Sequence, residues 1–238
     1  MRISISGADN LRKSDLMSAF MFEWRNYTTP ETCYKDIIEK HINDKNITSE
    51  ILQRNILTDM VERHKKYDDI SNCVLFNRCP LDNIIYSLFL NENNIVSDNF
   101  IQSCIPDVRE AMKYIDIIFI VSPLHDKSDI QQSDEITHQI NNLFTSCIDS
   151  YMSDKCPFFP EDDKPALISV EGTDYQRLEC IKQYINEDGD LLGSEVDPLA
   201  ELNTPHLSDF FPDKVAPPSV DIEKFLKDCN VDSFLKEK

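Results

Sequence analysis

The chain has 238 residues, 41% hydrophobic and 28% charged, with 43 acidic against 24 basic side chains and a formal net charge of −19. Such a charge repels phosphate backbones and disfavours non-specific nucleic-acid binding. No apolar run approaches the ~20 residues that span a bilayer, and no basic, then apolar, then small-residue leader opens the chain. A cytoplasmic protein without nucleic-acid or membrane partners is therefore expected, with one large domain or one domain plus an appendage. Eight cysteines are scattered without a C-x-x-C pair, which argues against a structural zinc site. The five histidines are too dispersed to suggest a metal centre.

In chain order, residues 2–6 read as a short buried strand, and 13–23 as a helix with Leu16, Met17, Phe20 and Met21 at helical spacing. Residues 28–32 are expected to be extended, because Pro30 biases its predecessor away from helix. Helices follow over 33–41 and 49–66. The apolar run 73–77 reads as a strand, and 81–90 as a helix after Pro80, which suits a first turn. Residues 97–113 are expected to be helical in two pieces, interrupted by Pro106. Residues 115–121 read as a strand, 134–152 as a helix, 166–170 as a strand ended by Gly172, and 174–185 as a helix. Buried strands separated by helices imply parallel pairing, so the expected fold is a three-layer α/β domain with a five-stranded parallel sheet over 1–185. Residues 186–238 form an acidic, proline-bearing tail, with helix-like apolar spacing over 220–235 that suits docking on its own domain or on another protein chain.

The first junction carries the clearest chemistry. A phosphate-binding loop reads G-x-x-x-x-G-K-[ST] between a strand and a helix. Here Gly7, Lys13 and Ser14 stand at that spacing, and Arg12 occupies the second glycine position. In such a loop, backbone N–H groups approach phosphate oxygens, the lysine neutralises β/γ charge, and the serine hydroxyl reaches Mg²⁺. Two readings of Arg12 stay open. The loop holds phosphate with Arg12 swung outward, or it is a relic in which Lys13 and Ser14 are a solvated helix start.

The second signal is Cys73-Val-Leu-Phe-Asn-Arg-Cys-Pro-Leu-Asp82, a strand running into Arg78, Pro80, Leu81, Asp82 and a helix. With the loop at 7–14 it resembles the small P-loop kinases, an AAA-type ATPase/kinase family related to nicotinamide riboside, deoxynucleoside and thymidylate kinases. The resemblance covers roughly residues 1–185. It implies ATP and Mg²⁺ as cofactors and a nucleoside or nucleoside monophosphate as acceptor. Gly7, Arg12, Lys13, Ser14 and Gly172 would line the nucleotide site, with Ser14 also on the metal. Arg78 would contact phosphate or acceptor, Glu31 would act as base toward the acceptor hydroxyl, and Gln53, Asn77 and Asp82 would lie on the substrate side. Asn77 stands where the family has a carboxylate. The family's lid carries an arginine, whereas Ser122–Glu135 has none, with Lys127 and Gln131-Gln132 in its place.

These departures keep two functional classes in view. One is a nucleoside or nucleotide kinase that transfers a phosphoryl group from ATP. The other is a catalytically degenerate relative serving as a nucleotide-binding or interaction module.

Overall fold

The computed structural model describes residues 1–9, 11–42, 48–68, 73–123 and 135–192. The chain divides into two units, Met1–Asp190 and Leu191–Lys238. The expected helix over 220–235 lies outside the described residues, as do Lys127, Gln131 and Gln132.

The strands are β1 (Arg2–Ser6), β2 (Val74–Asn77), β3 (Ile117–Val121) and β4 (Ala166–Val170), in one parallel sheet of order β2-β1-β3-β4. β1 sets Ile3 against Leu75 on one side and against Ile117 on the other. β3 is buried along its whole length, as a strand covered by helices on both faces must be. In β1 the alternation is chemical. Ile3 and Ile5 join one apolar core, while Ser4 and Ser6 face the opposite layer, their hydroxyls 3.2 Å apart and Ser6 Oγ 3.3 Å from Cys79 Sγ.

The helices are α1 (Lys13–Glu23), α2 (Tyr34–Ile42), α3 (Ser49–Lys65), α4 (Pro80–Glu92), α5 (Asp98–Met112), α6 (Glu135–Met152) and α7 (Asp174–Ile181). α1 packs on α7, and the core between them and the sheet gathers Leu16, Phe20, Trp24, Tyr27, Phe119, Val170 and Ile181. α3, α4, α5 and α6 form the other layer.

Several expectations are corrected. The described sheet has four strands, not five. The fifth position is held by Thr28 alone, bridged in parallel to Val74 through Thr28 N–H to Cys73 O and Leu75 N–H to Thr28 O, both 2.9 Å. Pro30 has no N–H to continue that ladder. α5 is one continuous helix with Pro106 inside it. Pro106 is solvent-exposed, so its ring and the carbonyl left unmatched a turn earlier lie on the wet side. The last helix ends at Ile181, short of the expected 185, and a further turn follows at 186–190. Three side chains capture the extra turn: Trp24 Nε1 donates to Asn186 O (2.7 Å), Asn26 Nδ2 to Asp188 O (2.8 Å) and Tyr27 OH to Gly189 O (2.6 Å).

The strand order reverses direction between β1 and β3. Crevices outside the carboxyl ends of parallel strands at such a point are where α/β proteins bind ligands. The loop after β1 leaves the sheet there.

Candidate phosphate site at the β1–α1 junction

Gly7 starts the loop at φ 129°, and a Cβ on it would lie 2.7 Å from the Val121 carbonyl oxygen. Only glycine lets the chain pass the end of β3 this closely. Its N–H donates to Asp82 Oδ1 (3.1 Å), and its carbonyl accepts from Arg78 Nη1 (3.3 Å). Further on, Lys13 Nζ turns back to donate to the Ala8 carbonyl. Arg177, on α7, donates through Nη1 to Leu11 O (2.9 Å) and through Nη2 to Ser122 O (3.1 Å), bracing the loop against the end of β3. The loop is thus held at Gly7, Ala8 and Leu11 by side chains from three helices.

Arg12 takes the place of the second glycine in more than sequence. Its backbone lies at φ 54° and ψ 33°, the left-handed region that favours glycine. The side chain points away from the loop, exposed, with Nε 2.9 Å from Asp15 Oδ2 and Nη2 3.0 Å from Asp174 Oδ2. The hydrogen bond to Asp15, then the charge of Asp174, hold its guanidinium above its ordinary value. The Arg12 side chain is swung outward, and the loop interior is left clear of it. α1 has no side-chain cap at its N-terminus, whereas Thr48, Ser97 and Thr173 cap α3, α5 and α7. The first-turn N–H groups of α1 carry the positive end of the helix dipole. Ser14 lies exposed on that turn.

Arg78 is the hub beside the loop. It also sits at positive φ (62°), fixed by its N–H to Ile5 O (3.0 Å) and by Arg63 Nη2, which donates to the Arg78 carbonyl at 2.6 Å. Its guanidinium is buried, donates to Asp82 Oδ1 at 3.3 Å and to Asp9 Oδ1, and lies 4.9 Å and 5.2 Å from the ring centroids of Tyr34 and Tyr86. Asp9 Oδ2 accepts from Tyr86 OH (2.7 Å). Burial disfavours the Arg78 charge, but Tyr86, Asp9, Tyr34 and Asp82 together raise it well above the ordinary arginine value. For Asp9 burial pushes the carboxyl up, and Arg78, Lys13 and Tyr86 outweigh it and hold it below the usual range. Lys13 goes the other way. Burial first, then Arg78, lower its ammonium to about 7 despite Asp9 and Asp82 nearby.

Of the residues singled out from the sequence, Gly7, Lys13, Arg78 and Asp82 come together here, with Arg12 and Ser14 at the loop's end. Asp82 is fully buried, and its carboxylate accepts from Gly7 N–H, Arg78 and Cys79 N–H (2.8 Å). It supports the loop from behind, with no face left toward a substrate. Asn77 lies at the end of β2 with its carbonyl 3.4 Å from Arg63 Nη2. Gln53 Oε1 accepts from Asn83 Nδ2 (2.9 Å), one residue beyond Asp82. Glu31 is exposed, its N–H 3.4 Å from Tyr67 OH. Tyr34, three residues on, lies over Arg78 and brings that segment alongside the hub. No hydrogen bond or ion pair joins the Glu31 or Gln53 side chains to Arg78 among the described residues. Gly172 lies two residues past β4 at φ 96°, where a Cβ would run into the Gln176 side chain of α7.

Sequence reasoning missed Asp9, Tyr34, Arg63 and Tyr86 and left Arg177 without a role. Asp9 lies inside the loop motif and could have been flagged as an acid among phosphate-facing amides. Tyr86 follows Asp82 by one helical turn, so an i, i+4 reading would have found it. Nothing local marks Arg63 or Tyr34.

A parallel α/β sheet with a strand–loop–helix junction of this kind is the arrangement found in P-loop kinase folds, and solved structures of that fold align with it. Solved structures that share the fold include nucleoside and nucleotide kinases. Deoxyadenosine kinase from M. mycoides with bound dCTP aligns over 77% of this chain and 98% of its own, at TM-score 0.54 and 15% identity. Thymidylate kinase from Candida albicans aligns over 80% and 94%, at TM-score 0.53 and 14% identity. The thymidine kinase EHV4-TK aligns over 77% and 89%, at TM-score 0.50 and 11% identity. No protein-family model and no curated protein matches the sequence. No described helix is long and apolar enough to cross a membrane.

Proposed function

We propose that this chain is a nucleoside or nucleoside monophosphate kinase that uses ATP as phosphoryl donor. The observation that carries the reading is the junction at 7–14. It keeps the glycine-type backbone at both Gly7 and Arg12, leaves α1 without a side-chain cap, and sets Lys13 and Arg78 against it. The fit to a phosphate group rests on that donor set: helix N–H groups, one lysine and one arginine. It is supported by the fold shared with deoxyadenosine and thymidylate kinases.

In this reading Lys13 leaves the Ala8 carbonyl and neutralises charge on the donor phosphates, while the amides of α1's first turn bind the oxygens. Arg78 orients the phosphate or the acceptor, and Glu31 takes the proton of the acceptor hydroxyl. Gly172 borders the donor base, and Gln53 and Asn77 border the acceptor. Ser14 would hold Mg²⁺ together with the nucleotide's own oxygens, since Asn77 offers an amide rather than a carboxylate. The ion supplies charge neutralisation on the phosphates. Catalysis in this chemistry is mostly positioning and charge stabilisation, so loss of one well-placed donor costs about 3–4 kcal/mol of transition-state stabilisation.

One observation favours the second reading, a nucleotide-binding module without turnover. Arg78 is already matched by Asp9 and Asp82, and burial lowers the Lys13 ammonium to about 7, so that about half of its charge is missing at neutral pH. A panel of deoxynucleosides and nucleoside monophosphates with γ-labelled ATP separates the two. Label transferred to one acceptor class, and lost in Arg78→Ala, supports the kinase. ATP binding without transfer to any acceptor supports the module.

A further inference from the structure

A second chemical feature lies outside the phosphate site, where α6 gives way to the connection leading into β4. Cys147 is on the buried face of α6, and Cys156 lies just beyond the helix end, partly exposed. Their sulfurs are 3.7 Å apart. A disulfide needs them to close by about 1.7 Å, which side-chain rotation supplies when the backbones already lie close. Here the backbones are pinned. Lys155 N–H donates to Ser150 O (2.8 Å), Tyr151 OH donates to Pro165 O (2.8 Å), and the Tyr151 and Phe159 rings meet edge-on at 4.8 Å.

The two thiols are also chemically unequal. The Cys147 thiol, hydrogen-bonded to Cys156 and buried, is driven far up. Cys156 is lowered, first by the hydrogen bond from Cys147 and also by the Phe158 N–H, against its partial burial. Cys79 (to about 12), Cys104 and Cys180 are all raised by burial. Cys156 is thus the accessible sulfur of the pair and the one whose thiol is lowered rather than raised, which suits it to attack an external disulfide.

We propose that Cys147 and Cys156 are a redox modification site that closes reversibly to a disulfide by exchange with a low-molecular-weight disulfide such as oxidised glutathione. The Cys156 thiolate attacks one glutathione sulfur, forming a mixed disulfide and releasing glutathione thiolate. Cys147 then attacks the Cys156 sulfur, its proton passing to the departing second glutathione as a thiol. Counted from two thiols, including the proton Cys156 releases on ionising, the protein loses two protons and two electrons, and oxidised glutathione takes them up as two molecules of glutathione. In a reducing compartment such a bond is a transient state rather than a structural one. It would tie the end of α6 to the chain entering β4.

The test uses the full chain, reduced, desalted and incubated with graded ratios of oxidised to reduced glutathione, then trapped and mapped by mass spectrometry without reductant. The expected product is one Cys147–Cys156 cross-linked peptide, with two of the eight thiols lost to a thiol reagent. Cys147→Ser should stop at glutathione on Cys156, and Cys156→Ser should give neither product. The urea-unfolded chain should give mixed pairings, which shows that native proximity selects this one. The proposal is overturned if the folded chain accumulates only the mixed disulfide on Cys156, if other cysteines pair first, or if no thiols are lost.

Discussion

The two sides of the crevice at the carboxyl edge of the sheet are built differently. At the β1–α1 loop, Gly7 and Leu11 are held by Asp82 of α4 and Arg177 of α7, Ala8 by Lys13 of the loop's own helix, and Arg12 adopts a glycine-like backbone conformation. On the side proposed for the acceptor, Glu31 is exposed, the Gln53 side chain bonds Asn83, and Asn77, at the end of β2, gives its carbonyl to Arg63. An anion cradle is a backbone shape, and backbone shape needs braces. Among the described residues, Glu31, Gln53 and Asn77 have no comparable set of braces, which the proposed acceptor side can tolerate. Asp82 and Arg177 thus brace, from outside the motif, a loop whose second glycine position holds arginine.

The largest effect should come from removing the brace shared by the loop and Arg78. Asp82→Ala leaves a buried guanidinium short of one carboxylate and the Gly7 N–H without its acceptor, and should destabilise the fold by about 3–5 kcal/mol in urea denaturation. A loss below about 1 kcal/mol would mean that Asp9 alone satisfies Arg78 and that the loop is not braced as described. Next is Gly7→Ala, which forces a Cβ against the Val121 carbonyl at positive φ. It should cost on the order of 1–3 kcal/mol and weaken ATP binding together with stability.

The pH dependence sharpens the donor side. Free Lys13 titrates near 7, and a bound phosphate favours its charged form, so binding above pH 7 takes up a proton. ATP affinity should fall as pH rises above about 7, by up to about tenfold per unit, and calorimetry in buffers of different ionisation heat should register the uptake. Without ligand the sign is reversed. The unfolded chain binds the Lys13 proton between about 7 and its ordinary 10.5 and the folded chain does not, so this group adds stability as pH rises through that window. The smallest effect belongs to the acceptor side. Gln53→Ala removes one hydrogen bond to Asn83 and should cost about 1 kcal/mol, leaving ATP binding unchanged.

The sheet and its helices were legible because their signals are local. The run 117–121 is apolar throughout, Pro80 marks the first turn of α4, and helical spacing marks α1. The loop was legible for the same reason. The role of Asp82 was not: it reads as a substrate-side acid, but burial makes it the anchor of Gly7. Arg63 and Tyr34 meet Arg78 only after α2, α3 and β2 have packed, and no spacing along the chain encodes that. Pro106 misled because propensity marks a break, whereas an exposed ring on a packed helix leaves the other face intact.

The central claim is that residues 7–14 remain an anion cradle with arginine in the second glycine position. Thermal unfolding of the full chain with and without Mg²⁺–ATP, beside Lys13→Met, tests it most directly. Methionine suits the buried position of Lys13 and removes only its charge and donors. The account predicts that ATP stabilises the native chain, by about 2.7 kcal/mol at a hundredfold excess over Kd, and that the variant folds but loses this shift. No stabilisation of the native chain at millimolar ATP, or an equal shift in Lys13→Met, would contradict it.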